Sequence, residues 1–171
     1  MSSESFLKMQ PDLNAAAGLA CVSEAKRDLT PKGRRDHRSL AFQVLYAMDC
    51  LNYESSAQQH LSLYEEYFYL KVEQDSFAIQ LVNSVAANQA ALKEKLEPLL
   101  ENWPYQRLDT GTRLLLHMAA WELIYYQKTP FKAVIDEYVE LAKAFGEADS
   151  YRFINGVLDK IVAGLAQDQT S

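Results

Sequence analysis

The sequence is poor in residues that mark metal, redox or catalytic centres. It contains two cysteines, Cys21 and Cys50, which form no CxxC pair and no cluster with metal-ligand spacing. Its three histidines are scattered and form no HExxH motif. No metal site, no catalytic residue and no cofactor is therefore predicted. Two isolated cysteines in a chain of 171 residues are typical of a reducing compartment, so we expect a cytoplasmic protein.

The sequence also has few backbone breakers and no long apolar run. Only six glycines and five prolines occur, and no segment alternates apolar and polar residues as a half-buried strand would. The apolar stretch over residues 15–22 is shorter than the roughly 20 residues that span a membrane, and its flanks do not match a signal peptide. Because 49% of the residues are hydrophobic, the chain can bury a core. These features predict an all-α protein.

Apolar residues recur with helical spacing from Pro31 onward. The first helix is predicted over residues 32–51, with Pro31 in its first turn. Further helices are predicted over residues 56–71, from about 74 towards Pro98 with a break near 87–88, over 110–127, over 132–145, and from about 150. The helix over 110–127 is apolar almost all round, which indicates a central position. Within it we expect His117 to be a core histidine and Glu122 to bond backbone amides or a hydroxyl, since a buried carboxylate needs partners.

The first helix carries a second arc that combines charge and aromatic rings. At 100° per residue, Arg35, Arg38, Phe42 and Tyr46 share an arc less than about 90° wide. Arginine forks bind phosphates and aromatic rings stack on unpaired bases, so the arc suggests a reader of single-stranded RNA. The alternative is a second buried face with solvated arginines, and the sequence leaves both open.

The net charge is distributed unevenly along the chain. Residues 26–38 hold six basic and two acidic side chains, a local balance of +4 in a chain of net charge −6, which leaves −10 elsewhere. A basic arm on an acidic body is typical of nucleic-acid binding.

The segment over residues 132–160 predicts two amphipathic helices joined by a short turn. Gly146 is expected to end the first helix with a positive φ, and Asp149 or Ser150 to cap the second. Gly156, inside the second helix, predicts a close helix contact because glycine destabilises a helix interior. Phe153 begins the apolar stripe of the second helix, so a core role and an RNA-stacking role both stay open.

Three motifs in this sequence carry a resemblance to a known family. They are RRDHRSLAFQVLYAMD (34–49), RLLLHMAAWEL (113–123) followed by Pro130, and KAVIDEYVELAKAFGEADSYRFINGVLDK (132–160). Over about residues 34–162 the chain resembles the NusB family of bacterial transcription antitermination factors. The resemblance implies an all-helical fold of about seven helices without a sheet. It further implies two packed subdomains, over residues 31–104 and 105–167, after an extension over residues 1–30.

The resemblance also implies a non-catalytic function in RNA binding. The expected ligand is the boxA element of ribosomal RNA transcripts, and the expected partner is the ribosomal small-subunit protein NusE. Both would act in the antitermination complex on RNA polymerase, and a homodimer is considered for the free protein.

The motif match places the implied contacts at three helix segments. The RNA contacts on the first helix are Arg34, Arg35, Arg38 and Tyr46. The RNA contacts at the start of the last helix are Asp149, Arg152 and Phe153. The partner contacts at the start of the central helix are Arg113 and Thr112.

The sequence departs from the family pattern at positions that bear on affinity. Asp36 interrupts the arginine run, Thr112 stands where an acidic residue is common, and Asp136 stands where asparagine is usual. Because the whole chain is acidic, RNA affinity is expected to depend on the partner. Two rival interpretations are an RNA-binding module of the ribosomal RNA methyltransferase type and a helical protein–protein adaptor. The first is disfavoured by the end of the chain at Ser171 and by the lack of a glycine-rich cofactor loop.

Overall fold

The structure of the protein is a computed structural model that describes residues 30–68, 71–101 and 103–168. The predicted extension over residues 1–30 lies almost entirely outside these ranges. In the described residues no helix is long and apolar enough to cross a bilayer.

Seven α-helices and no strand occupy the described ranges, so the predicted all-α class is confirmed. The helices are α1 (Arg34–Cys50), α2 (Ala57–Phe68), α3 (Phe77–Ala87), α4 (Gln89–Leu96), α5 (Thr110–Trp121), α6 (Phe131–Phe145) and α7 (Ser150–Asp168). Short 3₁₀ turns follow at Glu97–Leu99 and Tyr105–Arg107. A π-helical turn, Glu122–Tyr126, continues α5. The expected division into subdomains near residue 104 stays a prediction.

Helix α5 is the centre of the core, as its apolar sequence predicts. It packs against three helices that precede it in the chain, α1, α3 and α4, and against the two that follow it, α6 and α7. Its leucines Leu114, Leu115 and Leu116 are fully buried. The Asp109 carboxylate caps the helix, because its Oδ1 accepts a hydrogen bond of 2.9 Å from the Thr112 amide.

A buried ion pair joins α1 to the end of α5. Nε and Nη2 of Arg38 donate to the Glu122 carboxylate at 2.9 and 2.6 Å, and both side chains are almost completely buried. The hydroxyls of Thr129 and Tyr138 donate to the same carboxylate at 3.0 and 3.2 Å. Burial lowers the pKa of Arg38, but the hydrogen bonds and negative charge of Glu122 outweigh burial and raise that pKa. The predicted hydroxyl partner of Glu122 is confirmed, whereas the arginine partner was not foreseen.

The predictions for two glycines are wrong. Gly146 has φ −87° and ψ 171°, an extended conformation, and the left-handed residue of this turn is Asp149, with φ 64°. Gly146 is needed for space, because a Cβ there would collide with the Ser150 hydroxyl and lie 2.6 Å from the Ala142 carbonyl oxygen. At Gly156 an added Cβ would meet nothing within 4 Å, so the expected close helix contact is not made.

We expect Arg38→Ala to destabilise the protein strongly, because it leaves the Glu122 carboxylate buried without its cation. Removing one partner of a buried pair costs about 3–5 kcal/mol of unfolding free energy. Urea denaturation followed by circular dichroism measures the change. Arg35→Ala, which removes an exposed arginine of the same helix, is the control and should leave the urea midpoint nearly unchanged. Equal midpoints for the two variants would contradict the structural role of Arg38.

Candidate nucleic-acid interface

The three arginines predicted to contact RNA occupy three different environments. Arg34 is exposed, and its guanidinium carbon lies 4.2 Å from the centroid of the Phe77 ring. Arg35 is exposed and donates through Nε and Nη2 to the Glu137 carboxylate at 3.0 and 2.9 Å. Arg38 is buried against Glu122. The expected contact between Arg38 and phosphate is therefore corrected, because a guanidinium in the core is not accessible to RNA.

Glu137 partly neutralises the accessible end of the arginine arc. Its carboxylate accepts both bonds from Arg35, and its Oε2 lies 3.8 Å from Nη1 of Arg38. The hydrogen bond from Arg35 lowers the pKa of Glu137, so the group is a carboxylate at neutral pH. A phosphate that approaches Arg35 must compete with this carboxylate.

The aromatic residues of the same arc divide between core and surface. Phe42 is 4% exposed and stacks on Phe145 of α6, with ring centroids 5.1 Å apart. Tyr46 is 43% exposed and Phe145 is 42% exposed, and a shallow hollow of about 370 Å³ lies between these rings. Phe42 is thus a core residue, while Tyr46 and Phe145 present rings that a base can stack on.

Two contacts between α1 and α6 connect the arginine residues of the arc to its aromatic residues. Arg35 contacts Glu137, and Phe42, seven residues later on α1, contacts Phe145, eight residues after Glu137 on α6. The two helices therefore run in the same direction. At Gly111, the second residue of α5, a Cβ would lie 3.6 Å from the Phe145 carbonyl oxygen. The end of α6 therefore lies beside the start of α5.

A cleft of about 480 Å³ opens at the start of α5, where it faces the start of α7. Its walls include two aromatic side chains, the half-exposed Trp103 and the partly buried Phe153, with ring centroids 6.4 Å apart. The hydroxyls of Thr112 and Ser150 line the cleft, and both are buried without a hydrogen-bond partner among the described residues. Phe153 also packs against the core, while its expected stacking on RNA stays a prediction.

Charge around this cleft favours a base over a phosphate. The carboxylates that line it are those of Asp109, Glu147 and Asp149, against the single cation Arg107. Carboxylates repel phosphate but accept hydrogen bonds from base amino groups. The cleft therefore combines stacking surfaces with acceptors for a base edge.

The other two residues expected at the start of α7 lie on the surface. Asp149 and Arg152 are both exposed and form a long ion pair, with Oδ1 and Nη1 3.5 Å apart. The Nε of Arg152 also donates to the Tyr151 hydroxyl at 3.0 Å. An exposed pair of this kind is weak, so both groups are available to a ligand.

Known proteins match this chain over nearly the same residues as the three sequence motifs, which span about residues 34–162. The profile of the NusB family matches residues 35–163. The transcription antitermination protein NusB of Idiomarina loihiensis is 39% identical over 134 residues, which cover 78% of this chain and 94% of the relative. The chain belongs to the NusB family.

Solved structures of the NusB family share the fold. The structure of T. maritima NusB superposes with a TM-score of 0.66 at 26% identity and covers 77% of this chain and 92% of that one. A structure of the antitermination factors NusB and NusE in complex with dsRNA gives a TM-score of 0.67 at 24% identity, over 77% of this chain and 96% of that one. The second likeness concerns the fold alone.

The residues expected at the partner contact in this NusB-family chain lie beside the cleft. Arg113 donates through Nη2 to the Asp49 carboxylate of α1 at 2.8 Å and is only partly exposed. Thr112 is 3% exposed and its hydroxyl is buried, so the expected partner contact at Thr112 is not on the open surface. A second polar contact lies near Arg113, where the Tyr105 hydroxyl is 2.6 Å from Nε2 of His117. The expected core position of His117 is confirmed by its burial.

Sequence reasoning missed three residues of this interface. Glu137 lies on the polar side of an amphipathic helix, and only the fold brings it to Arg35. Phe145 follows the helical spacing of the buried residues of α6, yet it is 42% exposed. Trp103 precedes a proline in a loop, and only the structure shows that its ring is half-exposed, as the large aromatic residues of a binding surface often are.

We expect Trp103→Ala to weaken RNA binding without a large loss of stability, because Trp103 is 51% exposed. Loss of one stacking contact weakens binding by roughly 1–3 kcal/mol. RNA affinity by fluorescence anisotropy and the melting temperature are measured together. Leu51→Ala, which truncates an apolar side chain that is also 51% exposed, is the control and should leave RNA affinity unchanged. An unchanged affinity for Trp103→Ala would exclude the ring from the interface.

The stability of the protein should fall as the pH drops from about 6.5 to about 4. Burial, and then the charge of Arg113, lowers the pKa of His117 to about 4. An unfolded histidine takes up its proton near pH 6.5, so the unfolded state binds more protons in this window and is favoured as pH falls. Urea midpoints at several pH values measure the slope, and His117→Asn should reduce it. Some slope should persist because burial also lowers the pKa of His37.

Proposed function

We propose that the protein is a non-catalytic transcription antitermination factor that binds boxA-like single-stranded RNA together with NusE. The observation that carries the proposal is the link that α6 makes between Arg35 and the cleft. Glu137 of α6 binds Arg35, Phe145 exposes its ring at the end of that helix, and Glu147, two residues later, lines the cleft beside Phe153. Membership of the NusB family supports the role in transcription, since the curated relatives carry the name of antitermination proteins.

Each part of the surface has its own role toward an RNA strand. Arg34 and Arg35 contact phosphate oxygens, which sets affinity and position without sequence preference. Tyr46 and Phe145 stack on one or more bases. Phe153 stacks on a base held in the cleft, where the Asp149 carboxylate accepts hydrogen bonds from the edge of that base. Base stacking and edge recognition together are the usual means of reading single-stranded RNA.

The charge of the chain makes a protein partner useful for RNA binding. The net charge is −6, and the cleft itself carries three carboxylates. A basic partner beside the cleft would offset this repulsion and raise the association rate. We assign this place to NusE, next to the partly exposed Arg113. The structure of NusB with NusE and dsRNA provides the precedent for such an assembly in a protein of the same fold.

The assembly would act on RNA polymerase in the cytoplasm during ribosomal RNA synthesis. A homodimer of the free protein stays a prediction. Analytical ultracentrifugation with and without NusE tests it, because a shared interface would make the two partners exclude each other.

The test of the proposed function is RNA binding measured with boxA-like and scrambled RNA, each with and without NusE. Preference for the boxA-like strand, increased by NusE, is the expected result. Equal and weak binding of both strands under all four conditions would sink the proposal and leave a protein–protein adaptor. The salt dependence gives a second readout, since each phosphate contact contributes about −0.7 to the log–log slope for single strands.

We expect Glu137→Gln to increase RNA affinity a few-fold and to steepen its salt dependence. The substitution removes the carboxylate that holds Arg35, so the guanidinium is released to phosphate. One additional phosphate contact should make the slope more negative by about 0.7. Glu140→Gln is a matched control on the same helix, because Glu140 acts on Arg35 only through its charge and makes its ion pair with Lys143. If both variants bind RNA alike, Glu137 does not compete with phosphate.

A further inference from the structure

A second group of cations and aromatic rings lies at the beginning of α1, at the end away from the cleft. Two cations lie over the ring of Tyr126, the last residue of the π-helical turn. The guanidinium carbon of Arg34 is 5.5 Å from the ring centroid, and Nζ of Lys128 is 5.1 Å from it. The same guanidinium carbon lies 4.2 Å from the centroid of the Phe77 ring. We call Arg34, Tyr125, Tyr126 and Lys128 the π-turn patch.

The two cations of the π-turn patch keep their full charge. Both side chains are exposed, and neither makes an ion pair with a carboxylate in the described part of the chain. An aromatic ring attracts a cation through its quadrupole and positions it without cancelling its charge. A carboxylate does cancel it, as Glu137 does for Arg35. The π-turn patch is therefore better suited to anions than the neighbouring arginine is.

The backbone between Tyr126 and Lys128 of the π-turn patch is held in a rare conformation. Gln127 has φ 49°, in the left-handed region, and its amide donates to the Glu122 carbonyl oxygen at 3.0 Å. Its side-chain Nε2 donates to the Ile124 carbonyl oxygen at 3.0 Å. Strained residues and π-helical turns are found disproportionately at functional sites. The turn fixes Tyr126 under the cations and leaves Tyr125 48% exposed beside them.

We propose that the π-turn patch is a further contact for the same RNA strand, one that extends the surface beyond Arg35. Lys128 and Arg34 bind phosphate oxygens, and Tyr125 stacks on a base. The two cations are no more than about 11 Å apart, because both lie within 5.5 Å of one ring centroid. They can therefore engage phosphates of one strand that are close in sequence. The proposal rests on the proposed function, since it names additional RNA contacts of the same protein.

Single-stranded RNA fits the π-turn patch better than an acidic protein surface does. The patch alternates point charges with ring faces, and a single strand alternates phosphates with bases that have unpaired faces. It also adjoins Arg35, the residue that begins the surface leading to the cleft. One strand can thus contact both regions without leaving the protein.

The test uses the full chain and a boxA-like single strand, with affinities from fluorescence anisotropy over a range of salt concentrations. Lys128→Gln is expected to weaken binding a few-fold and to make the salt slope less negative by about 0.7. Tyr125→Ala is expected to weaken binding roughly fivefold or more with an unchanged slope, because it removes stacking and not charge. The matched control is Lys93→Gln, since Nζ of Lys93 lies 5.2 Å from the Tyr105 ring centroid in a cation–π contact of nearly the same length outside the patch.

Phe153→Ala and shortened RNA separate the possible outcomes. If Phe153→Ala abolishes RNA binding while Lys128→Gln keeps the wild-type affinity and salt slope, the π-turn patch is not an RNA contact. The proposed function then stands. Removal of nucleotides from one end of the RNA should abolish the effect of Lys128→Gln and preserve that of Phe153→Ala. If Lys128→Gln and Lys93→Gln change affinity equally, the effect is general charge and the patch is refuted. Failure of the wild-type protein to bind any RNA would refute both proposals.

Discussion

The buried ion pair between Arg38 and Glu122 is the interaction on which the arrangement of the interface depends. Its partners come from α1 and from the π-helical turn, and Tyr138 of α6 donates to the same carboxylate. Three elements are thus tied at one point inside the core, where a misplaced partner would leave a charge uncompensated. The accessible residues follow from this arrangement, since Arg34 and Arg35 extend from the helix that Arg38 anchors and Glu137 is one residue from Tyr138.

The surface shows how a protein of negative net charge can present cations to RNA. The helix α1 carries three arginines within five residues, and each has a different environment. One lies against aromatic rings, one is paired at the surface, and one is buried. The number of arginines in the sequence therefore overstates the charge available to phosphate. Their environments, set by residues far along the chain, decide how strongly the protein attracts RNA.

Much of the fold could be predicted from the sequence, because helical periodicity is a local signal. The central position of α5 follows from its apolar residues alone, and the positions of most helices agree with their patterns. The motif match indicated the family and both ends of the candidate site. The π-helical turn could not be predicted, since apolar spacing does not distinguish the last turn of an α-helix from a π-helical turn.

The errors at individual residues have a common physical cause. Arg38 shares a helical arc with Arg35, yet burial differs between them because α6 and the π-helical turn cover only one. Gly146 was assigned a positive φ from its place after a helix, while the structure puts that conformation at Asp149. Helical spacing determines which side chains share a face. It does not determine which neighbours cover that face or which residue of a turn takes the rare conformation.

The course of α1 also fixes a distance within the interface. Eleven residues separate Arg35 from the exposed ring of Tyr46, and a helix rises 1.5 Å per residue, so the two side chains start about 16 Å apart along the axis. Both residues belong to one helix, which holds this spacing constant. An RNA strand bound as proposed would meet its phosphate contact and its stacking ring at that separation, so the length of strand between them, in addition to the identity of the base, would decide how well it fits.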